Sequence, residues 1–164
     1  MSLGIRELKN ITIPSNVQNP IGLRAFISNY SLESIVLPAS IPSIGAYAFQ
    51  SCYALRNVVI PAGVTAIYTY ILNTCLSLAT IKILGSVTTV GAYAFASCPL
   101  LKVIDLRYCT TVPTLSNTNA ISNNTGLQII VPDDLYDTWK AATNWTTYSS
   151  KIIKASDYDA GLNQ

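Results

Sequence analysis

The sequence predicts a right-handed solenoid: short parallel strands stacked in a sheet, an outer wall of short helical turns or irregular chain, and a C-terminal capping helix. Three observations predict it. Pro42-SIGAYAFQSC-Tyr53, Ala66-IYTYILNTC-Leu76 and Thr89-VGAYAFASC-Pro99 are copies of one pattern, with Cys52, Cys75 and Cys98 spaced 23 residues apart. A period of this length means that each unit buries its apolar face only by stacking on its neighbours. A second motif, LxxIxI, recurs at Leu8, Leu32, Leu55, Leu78 and Leu101, with a shortened copy at Leu127, in steps of 24, 23, 23, 23 and 26 residues. After Pro132 the period ends and a helical pattern begins. The expected organisation is a solenoid of about five turns over 5–132, a cap over 133–155 and a flexible tail over 156–164.

Within LxxIxI the leucine and alternate apolar positions face inward, and residues such as Asn57 and Val59 or Thr80 and Lys82 face out, as the two-residue period of a strand requires. Pro14, Pro38, Pro61 and Pro132 follow directly. Proline has no amide hydrogen to give the ladder, so each strand stops at the same place. Small or polar turns come next, then Val17, Ile41 with Ile44, Val64 with Ile67 and Val87 with Val90, which suggest a second short strand or an extended wall. Gly22, Gly45 and Gly91 mark a sharp corner, broken in one copy by Tyr68, where a distorted turn is expected. The segment AYAFxSC is too short for a stable helix and is expected to form a helical turn that drops Phe26, Phe49, Leu72 and Phe95 into the core.

Beyond the strands, Leu135, Trp139 and Ala142 lie at i, i+4 and i+7, one face of a helix, and Asp133 or Asp134 is placed to cap its first amides. Trp139 facing inward would seal the last turn. Residues 146–154 are expected to add an extended segment.

The composition narrows the chemistry. Half the residues are apolar, ample for a core, while charged residues make up 11%, against about 25% in typical domains. A net charge of +2 without a basic cluster gives no nucleic-acid footprint. No run approaches the length needed to cross a bilayer, and the first residues lack the layout of a signal peptide. There is no histidine, the commonest acid or base at neutral pH. Glu7, Glu33 and Asp105 fall on well-separated strands, and no nucleophile or phosphate motif is present. Stacked cysteines stand about 4.8 Å apart with parallel side chains, whereas a disulfide needs converging Cβ atoms about 3.8 Å apart. A noncatalytic chain without cofactor or metal is therefore expected.

Binding is the better class. Arg24, Tyr47, Tyr70 and Tyr93 form a column on the outer wall, able to stack sugars or anchor a protein, or else leaning on one another to shield the turns. The strand face offers a competing, mostly uncharged surface of Asn10, Thr12, Ser34, Val36, Asn57, Val59, Thr80, Lys82, Val103 and Asp105. Such a surface suits a protein or glycan better than a phosphate polymer.

The pattern IPxxVxxIGxxAFxxCxxLxxVxIP, matched by Ile13 to Pro38, Leu37 to Pro61, Ile60 to Leu84 and Leu84 to Leu106, resembles the BspA-like, or Treponema pallidum type, leucine-rich repeat. The resemblance covers about residues 8–132, with departures at Leu84, at Tyr68 and Leu72, and through 107–126. It implies a leucine-rich-repeat solenoid serving as a recognition module of a bacterial cell-surface or secreted protein, with a protein or glycan partner. The competing expectation is a structural spacer or capping domain of a larger surface or phage tail-associated protein, with no ligand of its own.

Overall fold

The computed structural model describes residues 8–122 and 124–162. In chain order the solenoid strands are β1 (Asn10–Thr12), β2 (Ser34–Val36), β3 (Asn57–Ile60), β4 (Ala66–Ile67), β5 (Thr80–Ile83), β6 (Thr89–Val90), β7 (Val103–Asp105), β8 (Thr114–Leu115) and β9 (Gln128–Val131). A cap follows, with α1 (Tyr136–Ala141), β10 (Ile152–Lys154) and α2 (Ala155–Leu162). One parallel sheet runs β1-β2-β3-β5-β7-β9-β10, and a smaller one runs β4-β6-β8. The register is the repeat itself: Asn57, Val58, Val59 and Ile60 pair with Thr80, Ile81, Lys82 and Ile83. Inward residues such as Leu55, Val58, Ile60, Leu78, Ile81 and Ile83 are buried, and the core lies between the two sheets and the outer wall.

The outer wall departs from the expected helical turn. Arg24, Tyr47, Tyr70 and Tyr93, and again Ser28, Ser51, Thr74 and Ser97, all have φ between 56° and 60°. Each AYAFxSC segment is a run of tight turns, as in Ala48 N to Gly45 O, Gln50 N to Tyr47 O and Cys52 N to Phe49 O. A left-handed third residue is what a type II turn requires, and it cannot continue a right-handed helix. The amides between these bonds reach the next turn: Tyr47, Phe49 and Ser51 donate to Thr69, Ile71 and Asn73. Two left-handed residues cost about 2–4 kcal/mol per turn, and three interturn bonds return about 1.5–4.5 kcal/mol, so stacking makes the conformation tolerable. An isolated turn would not hold it.

The glycine corner also has another cause than the one expected. None of Gly22, Gly45 and Gly91 has a positive φ. A Cβ on Gly45 would stand 2.7 Å from the Leu23 nitrogen, and one on Gly91 would stand 2.6 Å from the Thr69 nitrogen, so glycine is needed for close approach between turns. At Tyr68 the consequence is visible in the ladder. Ile21 bridges to Ile44, and the smaller sheet begins again at β4, with no pairing between Ile44 and Ile67 among the described residues.

Cys52, Cys75, Cys98 and Cys109 are free and buried. They are donors as well as filler: the thiols of Cys52, Cys75 and Cys98 each donate to a carbonyl of the preceding turn, at Phe26, Phe49 and Leu72, at 3.2 Å. Burial pushes the Cys52 thiol up to about 12 and that of Cys98 up to about 11, and holds Cys75 well above its ordinary value. The folded values exceed the unfolded one, so this stability is whole below about pH 9 and drains as pH rises toward the folded values. Urea stability should therefore fall above pH 9 by up to about 1.4 kcal/mol per pH unit per cysteine, and less steeply in Cys75→Ala. Equal slopes in the two proteins would refute the assignment.

The cap closes the open end with side chains. Inside the smaller sheet, carbonyls of Thr88 and Val90 accept from the amides of Thr114 and Ser116. Among the described residues no further strand pairs with β8 in this sheet. The carbonyls that a further strand would engage are met instead by side chains, Trp145 Nε1 on Pro113 O at 2.8 Å and Asn144 Nδ2 on Leu115 O at 2.7 Å. Tyr148 Oη donates to Thr118 O, and Lys151 Nζ donates to Asn124 O at 3.1 Å. Trp139, fully buried as expected, packs edge-on against Trp145 at 5.4 Å.

Three expectations for this region are corrected. Residues Trp145–Lys151 form a 3₁₀ helix before β10, where an extended segment was expected, because their side chains must reach back to the last turn. Residues 155–162 form α2 instead of a flexible tail. Asp133 caps no amide of its own helix. Its carboxylate accepts from the Ser156 amide at 3.1 Å, in the first turn of α2, and bonding to Ser156 holds it below the usual carboxylate range.

Candidate functional site

The structure separates the two candidate surfaces. On the outer wall the rings of Tyr47 and Tyr70 stack at 5.0 Å and 8°, those of Tyr70 and Tyr93 at 4.9 Å and 12°, and the Arg24 guanidinium sits 5.1 Å from the Tyr47 centroid. The left-handed backbone at each of these residues projects successive rings in parallel, one turn apart. Asn119 Nδ2 donates to the Tyr93 hydroxyl at 3.1 Å. All three tyrosines are half-buried. Both ring faces of Tyr47 and of Tyr70 are occupied, by each other, by Arg24 or by Tyr93, so these two offer edges and hydroxyls outward and a sugar has no open face of Tyr70 to lie on.

The strand face is uneven. Asn10, Thr12, Ser34, Val36, Asn57 and Val59 are exposed, with Val36 at 56% and Val59 at 46%. Thr80, Lys82 and Val103 are half-buried, and Lys82 Nζ lies 5.8 Å from the Tyr108 ring. Asp105 does not belong to the open surface. It is 5% exposed, and Arg107 Nε bonds both of its carboxylate oxygens at 3.0 Å. Arg107 Nη1 in turn holds Asp159 of α2 at 2.8 Å. The physical reason is the helix itself: α2 packs against β9 and β10 and brings its carboxylate to the strand face. The residues proposed from the strand motif thus split into an open N-terminal half and a covered C-terminal half.

A third surface escaped the sequence reading. Tyr30 and Tyr53 stack at 4.7 Å, both exposed, and Leu76 continues their row. The available signal was their 23-residue spacing, which the cysteines one position before Tyr53 and Leu76 obscured.

Among the described residues, no group of three or more Cys, Asp or Glu side chains is arranged to hold a metal ion. Among them no helix is long and apolar enough to cross a membrane. The arrangement suits surface contact.

Comparison with solved structures returns the same architecture. The chain is similar to the Treponema pallidum leucine rich repeat protein, at 25% identity and a TM-score of 0.66 over 77% of this chain and 59% of that one. It is similar to a leucine-rich repeat protein from Eubacterium ventriosum, at 25% identity and a TM-score of 0.61 over 75% of this chain and 32% of that one. The pneumococcal vaccine antigen PcpA shares the fold alone, at 15% identity and a TM-score of 0.63 over 93% of this chain and 41% of that one. In each case the chain spans less than two thirds of the length of the structure it resembles. No curated protein matches it in sequence. A family model described as a BspA type leucine rich repeat region matches residues 4–133 in six copies, the number of leucine-led motifs in the sequence. With the parallel sheet, the 23-residue register and this match together, the chain belongs to the BspA-type leucine-rich-repeat family.

Proposed function

We propose that the chain is a noncatalytic binding module of a cell-surface or secreted protein, and that the open half of the strand face takes a protein partner. The observation that carries this reading is the exposure of Val36 and Val59 on a hydrogen-bonded sheet, flanked by Ser34 and Asn57. Two β-branched side chains held on a rigid sheet form an apolar centre with a polar surround, the layout of a protein contact. A protein fits better than a glycan, because the wall tyrosines that would stack sugars are spent on one another. The location follows the family resemblance.

The test is a binding screen against secreted and cell-surface proteins, repeated with Val36→Ser/Val59→Ser and with Tyr47→Ser/Tyr70→Ser/Tyr93→Ser. The valine pair should weaken binding at least about tenfold, the scale of a small interface centre, with an unchanged melting temperature. Binding lost only in the tyrosine variant would move the site to the wall. The second reading, a spacer without a ligand, is favoured by the self-satisfied tyrosine column, and it predicts no binding in the screen.

A further inference from the structure

The strand face carries one outward column whose members are treated very differently. Register runs it from Thr12 and Val36 through Val59, Lys82 and Asp105 to Ile130 and Ile153. Its N-terminal members stand open, whereas Asp105 and Ile130 are buried. The difference is α2.

We propose that α2 is a displaceable strap that shields the C-terminal half of the strand face; as a binding surface, that face rests on the function proposed above. Four observations point to a strap instead of a core element. None of its residues is buried, so it seals no apolar face of its own. A cleft of about 360 Å³ lies between it and the sheet, lined by Gln128, Ile153, Asp157, Tyr158, Gly161 and Leu162. A polar anchor on the face is Arg107, whose guanidinium grips Asp105 with Nε and Asp159 with Nη1 and lies 5.8 Å from the Tyr158 ring. Its first turn is tethered by the Asp133 carboxylate on the Ser156 amide, directly after β10, so the helix can swing away without disturbing the sheet. When α2 lifts, Arg107 keeps its bond to Asp105, so the buried carboxylate is not left unpaired. Opening then exposes a guanidinium beside Ile130 and Ile153, contiguous with Lys82 and Val59.

Local opening of this kind is read by amide hydrogen exchange on the full chain without any ligand. Amides of residues 155–162 should exchange at least about tenfold faster than those of β7 and β9. Asp159→Asn should speed α2 by about a further fivefold, the scale of one exposed charge-assisted pair, and leave β5 and β7 unchanged. Exchange of α2 at the rate of β9 would overturn the proposal, because the helix would then open only with the whole fold. So would an Asp159→Asn variant in which α2 exchanges no faster than in the wild type. Neither result depends on a partner, so a rigid α2 would leave binding at Val36 and Val59 standing. Failure of the binding screen would in turn leave the exchange result intact.

Discussion

Phe49→Ala will lower the stability of the chain by about 3–5 kcal/mol in urea unfolding, the cost of emptying a fully packed aromatic site. Phe49 is fully buried, stacks on Phe26 at 5.3 Å and 1°, and occupies a central turn of the solenoid. The loss combines the transfer of the ring out of its apolar site with a cavity between neighbouring turns. Those turns cannot collapse into it, because their spacing is fixed by the strand ladder and by the wall amides that donate from Phe49 to Ile71 and from Ser51 to Asn73. In a domain of this size the melting temperature should drop by roughly 6–20 °C. Phe26→Ala is the internal control: Phe26 is only partly buried at the first turn and should cost less. A loss below about 1 kcal/mol for Phe49→Ala would show that the spine is not the main packing element, and a larger loss for Phe26→Ala would show that burial does not set the cost along it.

Trp145→Ala should be comparably costly, about 3–5 kcal/mol, for a different reason. Trp145 is buried at the end of the stack, where it fills space against Trp139 and supplies the donor that Pro113 O would otherwise receive from another turn. Trp145→Phe separates the two roles. It keeps most of the ring and removes the N–H, leaving a buried carbonyl unpaired at a cost of about 1–3 kcal/mol. Hydrogen exchange should report the damage first in β8 and only later in β3, since a solenoid couples each turn to its nearest neighbours. If Trp145→Phe were as stable as the wild type, the side-chain closure of β8 would carry no weight.

Much of this architecture was legible because it is periodic. The strands, their termination at proline, the second short strand, the Phe26–Phe49–Leu72–Phe95 spine and the free cysteine column each repeat with the same offset, so one correct assignment fixes the rest. The features that stayed hidden do not announce themselves by residue type. Tyr47 and Ser51 are left-handed because the stack holds them so, whereas a sequence signals that conformation mainly through glycine and asparagine. Asp105 reads as exposed from its strand position, but the Arg107 guanidinium closes over it and is itself held by Asp159, in a helix far along the chain. Gly45 and Gly91 were recognisable as a corner, but the cause, contact with the preceding turn, appears only once the turns are stacked. The candidate site was half legible for the same reason: Val36 and Val59 follow from the strand pattern alone, and the cover over the other half does not.

The wall hydrogen bonds give the solenoid an electrical direction. The peptide joining Ala46 to Tyr47 accepts from Arg24 and donates to Thr69, and the one joining Thr69 to Tyr70 passes the bond on to Ala92; two neighbouring columns run through Phe49 and Ser51 in the same sense. In each column the dipoles, about 3.5 D per peptide, align head to tail as they do in an α-helix, although the linked peptides are 23 residues apart in sequence. The wall is thus a macrodipole without a helix, with N–H groups aimed at the C-terminal end and carbonyls at the N-terminal end, where Arg24 supplies the matching positive charge. A turn joined in the reverse sense would set like poles against each other, so this polarity gives the stack a direction that the apolar core alone does not.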